Sequence, residues 1–182
     1  MLHRGISKTP TLLFGLTLML CFLSAGWSDS FPRTNVQTLA GSAFVLPDDL
    51  EADTNILVVG FTQKAGPNTK PWTERLKQDF THTDGFAVYP VAVLAGVSPL
   101  FRGFALSSIR SGIAPQDSGH FLIVDRDQSA WRALADYRLP DDPYIIVLDK
   151  NGNLLARFKG VFDEKNYQKA AAQIRSAVRG KS

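Results

Sequence analysis

The chain has 182 residues, 20 Lys and Arg against 17 Asp and Glu, 45% hydrophobic residues and a single cysteine. This is the composition of an ordinary globular protein, and it excludes collagen-like, repeat and disordered chains. One cysteine excludes an intramolecular disulfide, a Cys-x-x-Cys pair and a thiolate zinc site, and three histidines are too few for a His-rich metal centre.

Residues 1–28 read as a secretory signal peptide. His3, Arg4 and Lys8 make a basic start, and Thr11 to Ala25 is an apolar run short of the roughly 20 residues that span a bilayer. Small residues follow at Ser24, Ala25, Gly26 and Ser28, so cleavage is expected near Gly26 or Ser28 and export to a periplasm follows. The alternatives are an uncleaved N-terminal anchor and a lipoprotein processed at Cys21, although Leu20 is not the small residue such processing needs. Cleavage removes the only cysteine together with Arg4 and Lys8. The basic count falls from 20 to 18 against 17 acids, a net charge of +1 with no long single-sign block and no footprint for nucleic acid.

Residues 29–182 then form one domain. Val36 to Leu39 and Ala43 to Leu46 flank Gly41-Ser42 as an N-terminal β-hairpin. Ile56 to Phe61 is a continuous β-branched run, as in a strand buried on both faces. After a Gly-Pro loop, Asn68 or Thr69 is expected to cap a helix with Pro71 in its first turn and Trp72, Leu76 and Phe80 on one face. Phe86 to Leu94 is the next strand, where Pro90 suggests an edge or a bulge. Pro99 to Ser111 is helical, with Phe101, Phe104, Ala105 and Ser108 at helical spacing. His120 to Asp125 is a strand and Ser129 to Ala135 a short helix. Tyr144 to Leu148 and Leu154 to Lys159 flank Asn151-Gly152, the strongest hairpin signal in the chain. Asp163 caps a last helix carrying Tyr167, Ala171, Ile174 and Val178. Alternation closed by a hairpin and a helix predicts an α/β fold over a mixed central sheet.

Two stretches carry a family resemblance. ILVVGFTQKAGPNTKPW resembles the strand, active loop and first helix of the thioredoxin-like superfamily. DDPYIIVLDKNGNLLARFKG is similar to the segment in which that superfamily's cis-proline precedes a strand and a hairpin. FLIVDRDQSAWRALADYRLPDDPYIIVLD and the leading hairpin VQTLAGSAFVLPDDL resemble the peroxiredoxin (AhpC/TSA) and TlpA-like branch, and together these cover most of residues 36–178. A cysteine-free exported domain of this kind resembles the periplasmic YtfJ-type family, and Trp72-Thr73-Glu74 more weakly resembles an assembly factor of the mitochondrial ATP synthase.

The resemblance implies a thioredoxin-like fold with an active loop at Ala65, Gly66, Pro67 and Asn68, and a cis-proline groove at Asp142 and Pro143. It does not carry the chemistry over. Thiol–disulfide exchange needs a thiolate at the helix start and a resolving thiol three residues on, and Ala65 and Asn68 supply neither. Peroxide reduction needs a thiolate in the same loop, for which Thr69 is no substitute without an activating base. No catalytic residue, metal or cofactor is therefore expected.

What remains is binding. If the peptide bond before Pro143 is cis, the backbone of Asp142 is presented to an extended partner chain as an added strand; otherwise Pro143 only shapes a turn. Gly66-Pro67 is either a relic loop or a plain turn. Trp72 and Trp131 are expected in the core, and His82 and His120 lack ligand spacing. Asp125, Asp127, Asp141, Asp142 and Asp149 gather at strand ends, as a weak divalent site or as exposed turn acids. The reading favoured is a non-catalytic binding, chaperone or assembly protein whose partner is an extended peptide segment or an envelope protein, with membrane contact only through an uncleaved signal or a lipid anchor. The alternatives are a redoxin-related oxidoreductase and a structural component of an envelope complex.

Overall fold

The computed structural model describes residues 31–83 and 85–179. The basic start, the apolar run and Cys21 lie outside the described residues. Seven strands and four helices follow one another as β1 (Thr34–Thr38), β2 (Ala43–Leu46), β3 (Thr54–Gly60), α1 (Ala65–Phe80), β4 (Phe86–Val93), α2 (Pro99–Gly112), β5 (Leu122–Val124), α3 (Gln128–Leu134), β6 (Tyr144–Asp149), β7 (Leu154–Lys159) and α4 (Glu164–Arg179). A 3-10 turn, Pro115–Asp117, separates α2 from β5.

The strands form a single mixed sheet in the order β2-β1-β5-β4-β3-β6-β7. β3, β4 and β5 are parallel; β6 runs antiparallel to β3, and β7 to β6. Parallel neighbours require crossovers, which α1 and α2 supply. Every residue of β6 is buried, and so are all of β3 but Gly60, which explains their unbroken apolar sequence.

Alternation along the strands divides the core between two faces. Ile56, Val58, Val88, Ile145 and Val147 pack under Trp72, Leu76 and Phe80 of α1 and Tyr167, Ala171 and Ile174 of α4. Leu57, Val59, Val91, Ile146 and Leu148 face Trp131 of α3, Phe31 and the hairpin residues Phe44 and Leu46. Gly152 (φ +78°) sits at the tip between β6 and β7, where a Cβ would come within 2.7 Å of Pro47 and where its carbonyl accepts the Phe31 N–H at 2.7 Å. The Asn-Gly turn is therefore also where the N-terminal segment is fastened to the sheet.

Three expectations are corrected and one pair of alternatives is decided. Pro90 is not on an edge strand: β4 lies between β3 and β5. The proline is accommodated because β5 is only three residues long and pairs with Val91 to Val93, so Pro90 stands where β4 has one strand neighbour. In α2 the face turned to the sheet is Ala105, Leu106, Ile109 and Ile113, while Phe101 and Phe104 point to solvent. The five aspartates do not converge. Asp149 is buried in the β6–β7 turn, accepting N–H groups of Asn151 and Asn153, at the end of the sheet where β3 begins. Finally, α1 starts at Ala65 and not at Asn68 or Thr69, which places Pro71 in its second turn.

Candidate functional site

β3, β4 and β5 all end on one edge of the sheet, where β6 begins and β7 ends. The two predicted site segments meet there. Ala65 to Asn68 form the first turn of α1, so this is helix and not loop. Pro67 is tolerated because N–H groups of a first turn have no helical partner. Ala65 is fully buried, and the absence of a side chain at Gly60 lets it approach: a Cβ there would lie 3.3 Å from the Ala65 Cβ. Gly66 and Pro67 are exposed.

The helix start is held by side chains from outside it. Lys64, at the N-cap position, makes no side-chain cap. Thr62 takes that role, its Oγ1 accepting the Ala65 N–H at 3.1 Å while its hydroxyl donates to Asp141 Oδ1 at 2.7 Å. Asn68 Nδ2 donates to the Asp141 carbonyl at 2.9 Å. Asp141 thus joins the predicted active-loop segment to the predicted proline groove. Behind it, Pro143 accepts the Gly160 N–H at 3.1 Å, and Trp72 Nε1 donates to the Gly160 carbonyl at 3.0 Å. Val161 and Leu139, both largely exposed, border this area.

The Asp142–Pro143 bond is trans. The only cis peptide among the described residues is Leu46–Pro47. Here the chain turns one step earlier, at Pro140 and Asp141, where Thr62 and Asn68 hold it against α1. The loop leading to β6 is further fixed by the buried Tyr144, whose hydroxyl accepts the Arg138 and Leu139 N–H groups and donates to the Leu139 carbonyl. Next to it, Lys159 donates to Asp136 Oδ2 at 2.7 Å, and this bond holds the Asp136 carboxyl below the usual carboxylate range.

Thr62 is the residue that sequence reasoning missed. Its signal was only a hydroxyl three positions before the first helical residue, which is common in turns. Asp141 was weighed for metal binding and serves instead as a hydrogen-bond junction. Among the described residues no group of three or more His, Cys, Asp or Glu is placed to hold a metal ion, and no helix is long and apolar enough to cross a membrane.

No protein-family model and no curated protein matches the sequence. Solved structures do. The thioredoxin domain of a thiol-disulfide oxidoreductase from Bacteroides vulgatus is similar with a TM-score of 0.53 and 16% identity, over 81% of this chain and 96% of that one. A proposed electron transfer protein from Aquifex aeolicus reaches a TM-score of 0.58 at 17% identity, over 82% and 97%. The fold is thioredoxin-like. An exposed lipoprotein thioredoxin from Streptococcus pneumoniae shares this thioredoxin-like fold, with a TM-score of 0.52 and 13% identity over 78% and 99%.

Within that fold the chain differs in kind from a dithiol protein. Its one cysteine and both methionines, Cys21, Met1 and Met19, precede residue 31, so the whole described domain is free of sulfur. The edge where the superfamily places a thiolate holds a buried methyl group at Ala65 and an engaged carboxamide at Asn68.

Proposed function

We propose that this is an exported thioredoxin-fold protein that binds without thiol chemistry, gripping an extended segment of a partner protein along the surface formed by Gly66, Pro67, Asp142 and Val161. The observation that carries this reading is the double tie of Asp141 to Thr62 and Asn68. It fixes the spacing of the two segments by hydrogen bonds, in a place where a dithiol protein keeps reacting groups free. A rigid edge with exposed backbone and bordering apolar side chains suits recognition of an extended chain. A trans Asp142–Pro143 bond narrows the proposal: the partner need not pair with Asp142 as the resemblance implied, and apolar contacts with Leu139 and Val161 carry more of the affinity.

The purified chain is expected neither to reduce insulin disulfides nor to consume peroxide, and turnover by a Cys21→Ser preparation would refute a purely binding role. A photo-crosslinker placed at Gly66 in exporting cells should capture a discrete partner, whereas one at Lys150, on the opposite edge of the sheet, should not. Equal capture from both positions would dismiss the groove. Export is read from residues 1–28, and the intact mass of the exported protein tests it: loss of residues through Gly26 or Ser28 is expected, and retention of Cys21 would mean a tethered protein.

A further inference from the structure

We propose that the outward face of α2 is a membrane-adhering surface that lays Leu100, Phe101 and Phe104 into the interfacial region of a bilayer containing anionic lipid. These side chains are 84%, 61% and 72% exposed, and α2 has no buried residue at all. They lie within little more than one helical turn, so they form one protruding cluster. The rest of the outward face is small or basic: Ser107, Ser108, Arg110 and Ser111. The inward face, Ala105, Leu106, Ile109 and Ile113, is already used against Leu94 and Ile123 of the sheet side.

Charge identifies the occupant. From Phe86 to Gln116 there is no Asp or Glu, while α2 carries Arg102 and Arg110. Arg110 is exposed on this face, Arg102 donates to the Val97 carbonyl at the foot of the helix, and neither arginine makes an ion pair among the described residues. Protruding Leu and Phe flanked by unneutralised arginine is the pattern of a helix lying in an anionic interface. A second copy of the chain is the weaker occupant. Three such side chains expose on the order of 400 Å², against about 800 Å² from each partner in a stable protein interface. A bilayer accepts convex side chains one by one and needs no complementary groove. The proposal uses none of the residues assigned above to the partner-binding surface, so its test is independent of that reading.

The test uses the full chain carrying Cys21→Ser and Ser108→Cys, labelled at position 108 with a polarity-sensitive fluorophore. Vesicles containing phosphatidylglycerol should shift its emission to the blue, whereas phosphatidylcholine alone should not. The variant L100S/F101S/F104S should weaken the interaction about a hundredfold or more, and Arg110→Gln, a milder change, about fivefold. All four positions are exposed or unpaired, so circular dichroism should be unchanged. Co-sedimentation with vesicles without a shift at position 108 would overturn the proposal by placing attachment elsewhere in the chain. Equal binding to phosphatidylcholine would overturn its charge basis. Dimerisation in the absence of vesicles, abolished by the triple substitution, would give the surface to a second copy instead.

Discussion

Thr62 and Asp141, 79 positions apart in the chain, share a hydrogen bond of 2.7 Å that closes the gap between the start of α1 and the approach to β6. The same hydroxyl oxygen accepts the Ala65 amide, so one threonine both caps the helix and fastens a loop. Thr62→Val should therefore cost more than Asp141→Ala. Loss of a capping oxygen costs about 1 kcal/mol, and the exposed hydrogen bond adds about 0.5–1 kcal/mol. Asp141→Ala removes the acceptor, keeps the backbone carbonyl that Asn68 uses and should cost only the latter amount. Urea unfolding of both single variants and the double variant checks this, because the shared bond must appear as a coupling of about 0.5 kcal/mol or more. Strict additivity would mean the bond contributes nothing.

Trp72 is 1% exposed and spends its one polar atom on the Gly160 carbonyl, with its ring edge against Phe162 at 5.5 Å. Trp72→Phe keeps most of the apolar contact and abandons the carbonyl, for a cost of about 1–3 kcal/mol. The consequence for the site is local. Gly160 donates to Pro143, so its amide should exchange with solvent faster in the variant, while the Asn166 amide, held by Asp163 Oδ1 at 2.7 Å, should not change. Uniform acceleration at both amides would show global destabilisation and no special role for Trp72 at this edge.

The Tyr167 hydroxyl donates to Asp79 Oδ2 at 2.7 Å beneath α1. Burial first, and then the Asp79 carboxylate, raises its pKa well above the ordinary tyrosine value of about 10. The folded state therefore holds a proton that the unfolded chain releases near pH 10. Stability from this group is complete below that pH and is lost as pH rises toward the folded pKa. Tyr167→Phe should lower the melting temperature at pH 8 and flatten its decline between pH 9.5 and 11, measured by thermal unfolding across that range. Some slope should persist, because burial also raises the pKa of Tyr89. Parallel profiles for the two proteins would exclude the Tyr167 hydroxyl as a source of the decline.

Much of this architecture was legible because its signals are local. Asn151-Gly152 fixed the β6–β7 hairpin, and the spacing of Tyr167, Ala171 and Ile174 fixed the buried face of α4. What was not legible depends on distant partners. Pro90 signalled an edge because a strand's own sequence does not state how far its neighbour extends. Phe101 and Phe104 fit a helical stripe equally well on either side of α2, and only the position of the sheet decides which side is wet. Asp149 and Asp141 look alike in sequence, yet they lie at opposite ends of the antiparallel β6. The first turn of α1 began early because Thr62 capped it from a position that no side-chain preference at Asn68 could reveal. Pro143 is ambiguous for a similar reason: no residue beside it in the sequence states the isomer, which is trans.

Restoring the two thiols separates lost chemistry from altered architecture. Positions 65 and 68 are one turn apart in α1, a separation that a disulfide spans. The variant A65C/N68C should thus oxidise to an internal disulfide, seen as a mass lower by two hydrogens and a failure to react with a thiol reagent until reduced. A thiol at the helix start should also be acidified by the positive end of the helix dipole. Yet insulin reduction should stay slow. The side chain at position 65 is fully buried against Gly60, so an incoming disulfide cannot readily reach the sulfur, and the backbone at Asp142 precedes a trans proline. The substitution also removes the Asn68 amide from the Asp141 carbonyl, which should cost about 1 kcal/mol in the reduced form. Rapid turnover by this variant would mean that the edge has a working redox geometry and lacks only the sulfur; a disulfide without turnover would mean that the edge differs from that of a dithiol protein in more than its sulfur.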